Sequence, residues 1–286
     1  MHKHRFQFRV EKMCQVMQVS RSGYYKWVNR KPSEREKRRK KLMKRIQHHF
    51  DGFKQRYGSP KITAKLRDEG IIVSTKTVAR LMKEMGLRSR TVKKYKATTN
   101  SKHNQPVYDN VLNRQFKVEA PNRAWVTDIT YVSTSQGWVY LASVMDLFSR
   151  KIVGWALGSR MTKELVLEAF DMACKRQQPE PGLVHHSDRG SQYASTEYRE
   201  RLASHEMIGS MSRKGNCYDN ACIESFHSVI KKELIYLTKF KTRQEAYNAI
   251  NSYIELDYNR IRIHSSIGYL TPHLCEKRYY EQHQVA

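Results

Sequence analysis

The spacing of hydrophobic residues changes character near residue 122. Upstream, apolar positions recur three and four residues apart, the period of amphipathic helices. Val10, Met13, Cys14 and Met17 form the first stripe, and a short helix over GYYKWVNR follows Val19-Ser20-Arg21-Ser22. This pair reads equally as a helix-turn-helix presenting Arg21, Tyr24, Tyr25 and Lys26, or as a plain hairpin whose aromatics pack inward. Pro32-Ser33 restarts the chain, and EREKRRKKLMKRIQHHF predicts a long basic helix with Leu42, Ile46 and Phe50 inward. Ser59-Pro60 marks another helix start, cap then proline, and Gly70 its end. Ser74 caps TKTVARLMKEM, which stops at Gly86. On that helix Thr75, Lys76, Thr77 and Arg80 form an N-terminal face of the kind that enters a DNA major groove.

From 88 to 121 no period is sustained. With Pro106 and Pro121 as punctuation, the stretch reads as an interdomain linker. Short β-type runs come next: AWVTDITYV over 124–132, a turn at Gln136-Gly137, then 138–145 and 151–157. Three strands in succession predict an antiparallel meander. A helix is expected over 162–176, and a short strand, 183–186, delivers Asp188 to its carboxyl end. Ser191 is expected to cap a polar helix running to about Ser204, followed by a strand over 207–211. A helix opening near Asp219 carries Ile223, Phe226, Ile230 and Leu234 as its core stripe. Glu224, Ser228 and Lys231 lie on a different face, with Glu224 and Lys231 two turns, or about 10 Å, apart. A last long helix is expected over 242–258, before the basic, aromatic tail NRIRIHSSIGYLTP.

Composition sharpens this picture in three ways. The chain of 286 residues, 39% hydrophobic, has room for two domains, or for one core with an appendage. No apolar run approaches the roughly 18 residues of a membrane span, and MHKHRFQFRVEKMCQ lacks a signal-peptide core, which points to a soluble, cytoplasmic protein. Five cysteines without a CxxC pair read as reduced thiols, and Cys217 and Cys222, near His185 and His186, lack a zinc spacing. Charge is the loudest feature: the formal net is +26. Residues 1–110 hold 30 Lys and Arg against 8 Asp and Glu, a net of +22, whereas the other 176 hold 23 against 19. A basic third on a near-neutral body predicts a DNA-binding arm joined to something else.

The candidate chemistry is carboxylate chemistry. Asp128 sits inside a strand among Trp125, Val126, Ile129 and Val132, where an ionised group is costly unless paired or bound to a cation. A structural salt bridge and a metal site both remain open on burial alone. With Asp188 and Glu224 beside it, three hard oxygen donors would suit Mg2+ or Mn2+. His185 and His186 read either as contacts near the site or as packed strand-end residues. Asp146 reads as a turn or salt-bridge residue, and Asn220, one turn before Glu224, either as a support for the site or, more simply, as a helix cap. Arg260, Arg262 and His264 are open between phosphate contact and packing.

The stretches WVTDIT, HSDRGSQY, SRKGNCYDNACIESFHSVIKKE and YNRIRIHSSIGYLTP, with YGSPKI upstream, together resemble the DDE transposases. The resemblance is to the second-frame protein of the insertion-sequence-3 family, whose core is similar to retroviral integrase. It implies an α/β fold: an RNase H-like core with a five-stranded mixed sheet flanked by helices, preceded by a helical, helix-turn-helix-like region. The domains expected are 1–87 for DNA binding, 88–121 as linker, and 122–286 as integrase-type core with a helical tail. By position Asp128, Asp188 and Glu224 are the implied metal ligands, holding Mg2+ or Mn2+ as two ions, and Lys231 is the implied phosphate contact. The implied activity is binding of inverted-repeat ends, nicking to expose a 3'-hydroxyl, and strand transfer. Implied partners are element and target DNA, further copies of the chain on DNA, and an upstream-frame helix-turn-helix and leucine-zipper protein; this chain has no zipper heptads. A metal-dependent nuclease of the same fold and a non-catalytic DNA-binding regulator are the alternatives.

Overall fold

The computed structural model describes residues 1–90, 106–214 and 216–283, apart from the side chain of Cys217. The chain divides into two compact units, Met1–Ser89 and Arg90–Ala286.

The first unit is helical: α1 (Val10–Val16), α2 (Arg21–Val28), α3 (Glu34–Gly52), α4 (Ser59–Asp68) and α5 (Thr75–Glu84). Side-chain oxygens satisfy the orphan N–H groups at several starts. Ser33 and Glu36 form a reciprocal capping box on α3, and Ser74 accepts from the Thr77 N–H on α5. At α4 the cap is Gly58 and Ser59 already lies in the helix, one residue from the expected position. Pro60 fits there because the first turn needs no N–H donor. Ile46, Phe50, Ile62, Leu66, Val78, Leu81 and Met82 meet as the core of α3–α5. Ion pairs from Arg39 to Glu84 and from Arg45 to Glu69 edge that core. In the α1–α2 pair only Tyr24 of the three aromatics is buried, while Tyr25 and Trp27 are exposed. A hairpin with inward-packed aromatics therefore describes one ring of three.

The second unit is built on five strands: β1 (Ala124–Thr134), β2 (Gly137–Asp146), β3 (Ile152–Gly158), β4 (Val184–Ser187) and β5 (Ile208–Met211). They lie in the order β3-β2-β1-β4-β5. The meander β1-β2-β3 is antiparallel, as its short turns require, and β4 and β5 add in parallel on the other side of β1. The parallel connections run through α6 (Lys163–Gln177) and α7 (Thr196–Ser204). Three further helices follow: α8 (Ala221–Glu233), α9 (Arg243–Ser252) and α10 (Pro272–His283). This is an RNase H-like integrase core, a mixed five-stranded sheet with helices on both faces.

Because β1 is buried on both faces, its sequence reads as nearly continuous apolar, and parity tells the faces apart. Even positions Ala124, Val126 and Val132 pack with Ile223, Phe226 and Ile230 of α8 and with Ala246 and Ile250 of α9. Odd Trp125 packs with Val166, Ala169 and Phe170 of α6 and with Tyr198 and Leu202 of α7. Asp128 therefore belongs to the α8 face. On the opposite face α6 lies almost on the backbone of β3. A Cβ at Gly154 would fall 2.1 Å from the Ala169 carbonyl oxygen, so only glycine allows this approach.

Several elements depart from the expectation. Residues 91–105 of the expected linker lie outside the described residues. From 108 onward the chain packs on the core: Leu112 is 4% exposed, its N–H donates to Ser210 Oγ, and the Tyr108 ring covers Gly209. The helix α7 is capped by Ser195, which accepts from the Tyr198 N–H, rather than by Ser191. Residues from Gly190 to Ala194 turn first, with the Tyr193 and Ala194 N–H groups donating to the Gly190 carbonyl. The last long helix continues past Ser252 as a π-helical stretch, Tyr253–Ile261. There the Asn259 amide bonds both the N–H and the C=O of Ile152, tying the stretch to β3. The basic, aromatic tail leads into α10, held by an ion pair from Glu276 to Lys151. Among the described residues no helix is long and apolar enough to cross a membrane.

Candidate active site

Asp128 lies in the middle of β1, opposite Ser143 of β2. On its other side β1 runs parallel to β4 in the register Ala124–Val184, Trp125–His185, Val126–His186. Continuing that register by two residues sets Asp188, just beyond β4, beside Asp128. Neighbouring strands are about 4.8 Å apart, so two carboxylates there feel each other strongly. Asp188 Oδ1 accepts the Gly190 N–H at 2.9 Å, which turns the chain sharply out of the strand. Burial first, then the charges of Asp128 and Glu224, push the Asp188 carboxyl up to about 7, against the pull of the Gly190 N–H.

Glu224 comes from the first turn of α8. Although it sits on the open side of that helix, the surrounding protein and the charge of Asp128 raise its carboxyl above the ordinary value. The three predicted carboxylates thus share one electrostatic neighbourhood. Among the described residues, no three His, Cys, Asp or Glu side chains are close enough together to enclose an ion. Hard oxygen donors on rigid elements are the donor set that Mg2+ or Mn2+ takes. The residues fit a divalent cation in chemistry and charge.

Two residues next to α8 fix where Glu224 sits. Asn220 makes no cap bond; its amide instead donates to the Thr127 carbonyl at 3.0 Å, strapping the start of α8 to β1 beside Asp128. Asp219 is fully buried and accepts from Asn110, from Arg114 Nε at 2.7 Å, and from the backbone and guanidinium of Arg213. Those partners hold its carboxyl far below the usual carboxylate range, with the Arg213 side chain the largest cause. Asp219 therefore joins the 110–114 segment, the 213 loop and the start of α8. Sequence reading missed this hub, because two of its partners, Asn110 and Arg114, are about a hundred residues away and follow no period.

His227, one turn after Glu224, was also missed. It is 6% exposed, with Nδ1 3.3 Å from Asp128 Oδ2 and Nε2 3.0 Å from Ser143 Oγ. Lys231 is half-buried, its ammonium 4.5 Å from the centroid of the Tyr131 ring. Burial lowers its affinity for the proton, while Tyr131 and Asp128 oppose that shift.

The remaining candidates are structural. His185 is buried against the Tyr198 hydroxyl at 2.7 Å, and burial brings it down to about 3. His186 bonds Ser210 and Ser212, and burial brings it down to about 4. Asp146 closes the β2–β3 turn by accepting the Phe148 and Ser149 N–H groups and the Ser149 hydroxyl. Arg262 is spent on Glu233, and the His264 ring stands edge-on to Tyr258. Cys14, Cys174, Cys222 and Cys275 are unpaired thiols.

The chain matches the integrase core domain family over residues 118–217 and again over 206–272, and an HTH-like domain over residues 37–95. It is 46% identical over 274 residues to the insertion element IS600 uncharacterized 31 kDa protein of Shigella sonnei, covering 96% of this chain and all of that one. It is 41% identical over 278 residues to transposase InsF for insertion sequence IS3A of Escherichia coli strain K12, covering 96% of each. The chain belongs to the insertion-sequence-3 family of transposases. Its core is also similar, at 21% identity and a TM-score of 0.43, to the HTLV-2 integrase catalytic core domain solved in complex with magnesium, over 55% of this chain and 97% of that one. Within the transposase, the HTH-like match begins inside α3 and takes in α4 and α5.

Proposed function

We propose that this transposase binds the inverted-repeat ends of its element, nicks them to expose 3'-hydroxyls, and joins those hydroxyls to another phosphodiester. Asp128, Asp188 and Glu224 would hold the divalent cations. The observation that carries the reading is the β1–β4 register that sets Asp188 beside Asp128, where burial and the charges of Asp128 and Glu224 raise its carboxyl. A fold that keeps such a cluster for stability alone works against itself, whereas a cluster that binds cations gains from the same charge. Two bound Mg2+ or Mn2+ ions would activate a water or hydroxyl and stabilise the leaving oxygen.

The chain's own residues do the positioning. The Ile129 N–H holds Asp128 Oδ1 at 2.8 Å and the Gly190 N–H holds Asp188 Oδ1, leaving other lone pairs of each carboxylate open. Asn220 and Asp219 set the start of α8 and so the place of Glu224. Lys231, steadied by the Tyr131 ring, would meet a phosphate near the reacting end. The DNA would be element and target DNA in the bacterial cytoplasm, with several copies of the chain bringing two ends together. A helix-turn-helix and leucine-zipper product of an upstream frame would join that assembly.

The test is an assay of products on duplexes bearing the element ends, with Mg2+ or Mn2+. Strand-transfer products are expected. Nicks without joining would make the protein a nuclease, and binding without either would make it a regulator; both outcomes overturn the reading. In the same assay Lys231→Ala is expected to slow end joining by about ten- to a hundred-fold, the worth of a charge-assisted phosphate contact. Lys231→Arg should be milder, and general duplex affinity should change little. Equal and negligible effects of both substitutions would leave Lys231 a surface lysine.

A further inference from the structure

His227 has no part in the chemistry above, yet it is buried, with Nε2 hydrogen-bonded to Ser143 Oγ and Nδ1 3.3 Å from Asp128 Oδ2. It rides on α8, between the strands that carry Asp128 and Ser143, and those two residues face each other in the β1–β2 register. The ring therefore bridges two adjacent strand positions. Its surroundings on α8 include Phe226 and Ile230, where an apolar side chain would pack without any hydrogen-bond requirement.

The network assigns the tautomer. Ser143 Oγ has no other hydrogen-bond partner among the described residues, so its proton needs the ring nitrogen as acceptor. That puts the ring proton on Nδ1, the nitrogen that lies 3.3 Å from Asp128 Oδ2.

We infer that His227 is a positioning residue: held by Ser143 through Nε2, it donates from Nδ1 to Asp128 and fixes how that carboxylate presents itself to a divalent cation. The inference rests on the reading of Asp128 as a cation ligand. Outer hydrogen bonds of this kind set ligand direction and basicity, and their loss weakens metal affinity by about ten- to a hundred-fold.

The experiment uses the full chain and Mn2+ alone, without DNA. Affinity is read by calorimetry or electron paramagnetic resonance, and folding by circular dichroism. His227→Leu is expected to weaken Mn2+ binding by about ten- to a hundred-fold. His227→Asn, whose amide can donate near the Nδ1 position, should recover most of that loss. Ser143→Ala should fall between, since the ring stays but its orientation is no longer fixed. Nitrogen-15 spectra of the wild-type protein should show His227 protonated at Nδ1. Wild-type Mn2+ affinity in a folded His227→Leu protein, or a ring protonated at Nε2, overturns the inference. Should the leucine variant fail to fold, Ser143→Ala decides: unchanged affinity overturns it and a weakened one supports it. Asp128→Asn separates the two layers. Unchanged Mn2+ binding there removes the cation site itself, whereas loss there with no effect at His227 removes only the positioning role.

Discussion

Asp128→Asn, Asp188→Asn and Glu224→Gln are each expected to lower end cleavage and joining with Mg2+ by about a thousand-fold or more, while leaving DNA affinity nearly intact. Each change keeps size and removes charge, so the loss reports the carboxylate rather than the packing. Binding should survive because the basic residues lie mainly in the first 110 positions, whereas all three carboxylates belong to the core of the second unit. Gel-shift titrations beside a product assay separate the two effects. Retained joining in any one of the three variants would remove that residue from the site.

The same variants should behave unusually in stability measurements without metal. Asp188 stands up to about 7 in the fold, against an ordinary 3.8. An acid raised on folding holds its proton better when folded, so its contribution is fully present below the ordinary value. It is lost as pH rises toward 7. The metal-free protein should therefore lose stability across that window, and Asp188→Asn should flatten the loss. Added Mn2+ should stabilise the wild type at neutral pH and not the variant. Thermal unfolding at several pH values, with and without Mn2+, reads both.

How much of this was legible in the sequence depends on the range of the cause. The meander, the short strand before Asp188 and the helix bearing Glu224 all follow from local period and turn chemistry, and each stands within a few residues of its predicted bounds. The carboxylates were singled out by resemblance, since spacing alone does not pick three from 27 acidic residues. What stayed hidden depends on contacts distant in sequence. Asp219 meets Arg114 from 105 residues away, and His227 meets Ser143 from 84. Asn220 has the composition of a cap, yet its amide goes to β1 because the strand offers a carbonyl there. The segment around Leu112 reads as linker because a single inward residue among polar neighbours has no period. Its side chain is buried in the core between the sheet and α8, and its N–H is taken up by Ser210 of β5, about a hundred residues on.

That segment also decides where the protein can be cut. A fragment of residues 106–286 is expected to fold alone, because it holds all five strands, the three carboxylates and the partners of Asp219. Starting at residue 115 instead removes Leu112 from the core and leaves Asp219 without Asn110 and Arg114. The shorter fragment should be less stable by about 3 kcal/mol or more, from the lost apolar burial and a half-paired buried carboxylate. Urea unfolding of the two fragments measures the difference, and equal stabilities would mean the segment is only draped on the core. The complementary fragment, residues 1–105, should bind duplex DNA with steep salt dependence, since each neutralised phosphate adds about −0.9 to the log-log slope. On its exposed α5 face, changing Lys76 and Arg80 should erase preference for element ends. Changing Lys40 and Lys41 on α3 should lower affinity for every sequence alike. The core fragment should bind Mn2+ and nick weakly, without regard to sequence. If it discriminates the ends by itself, or the helical fragment binds no DNA at low salt, recognition and chemistry are not divided between the two units.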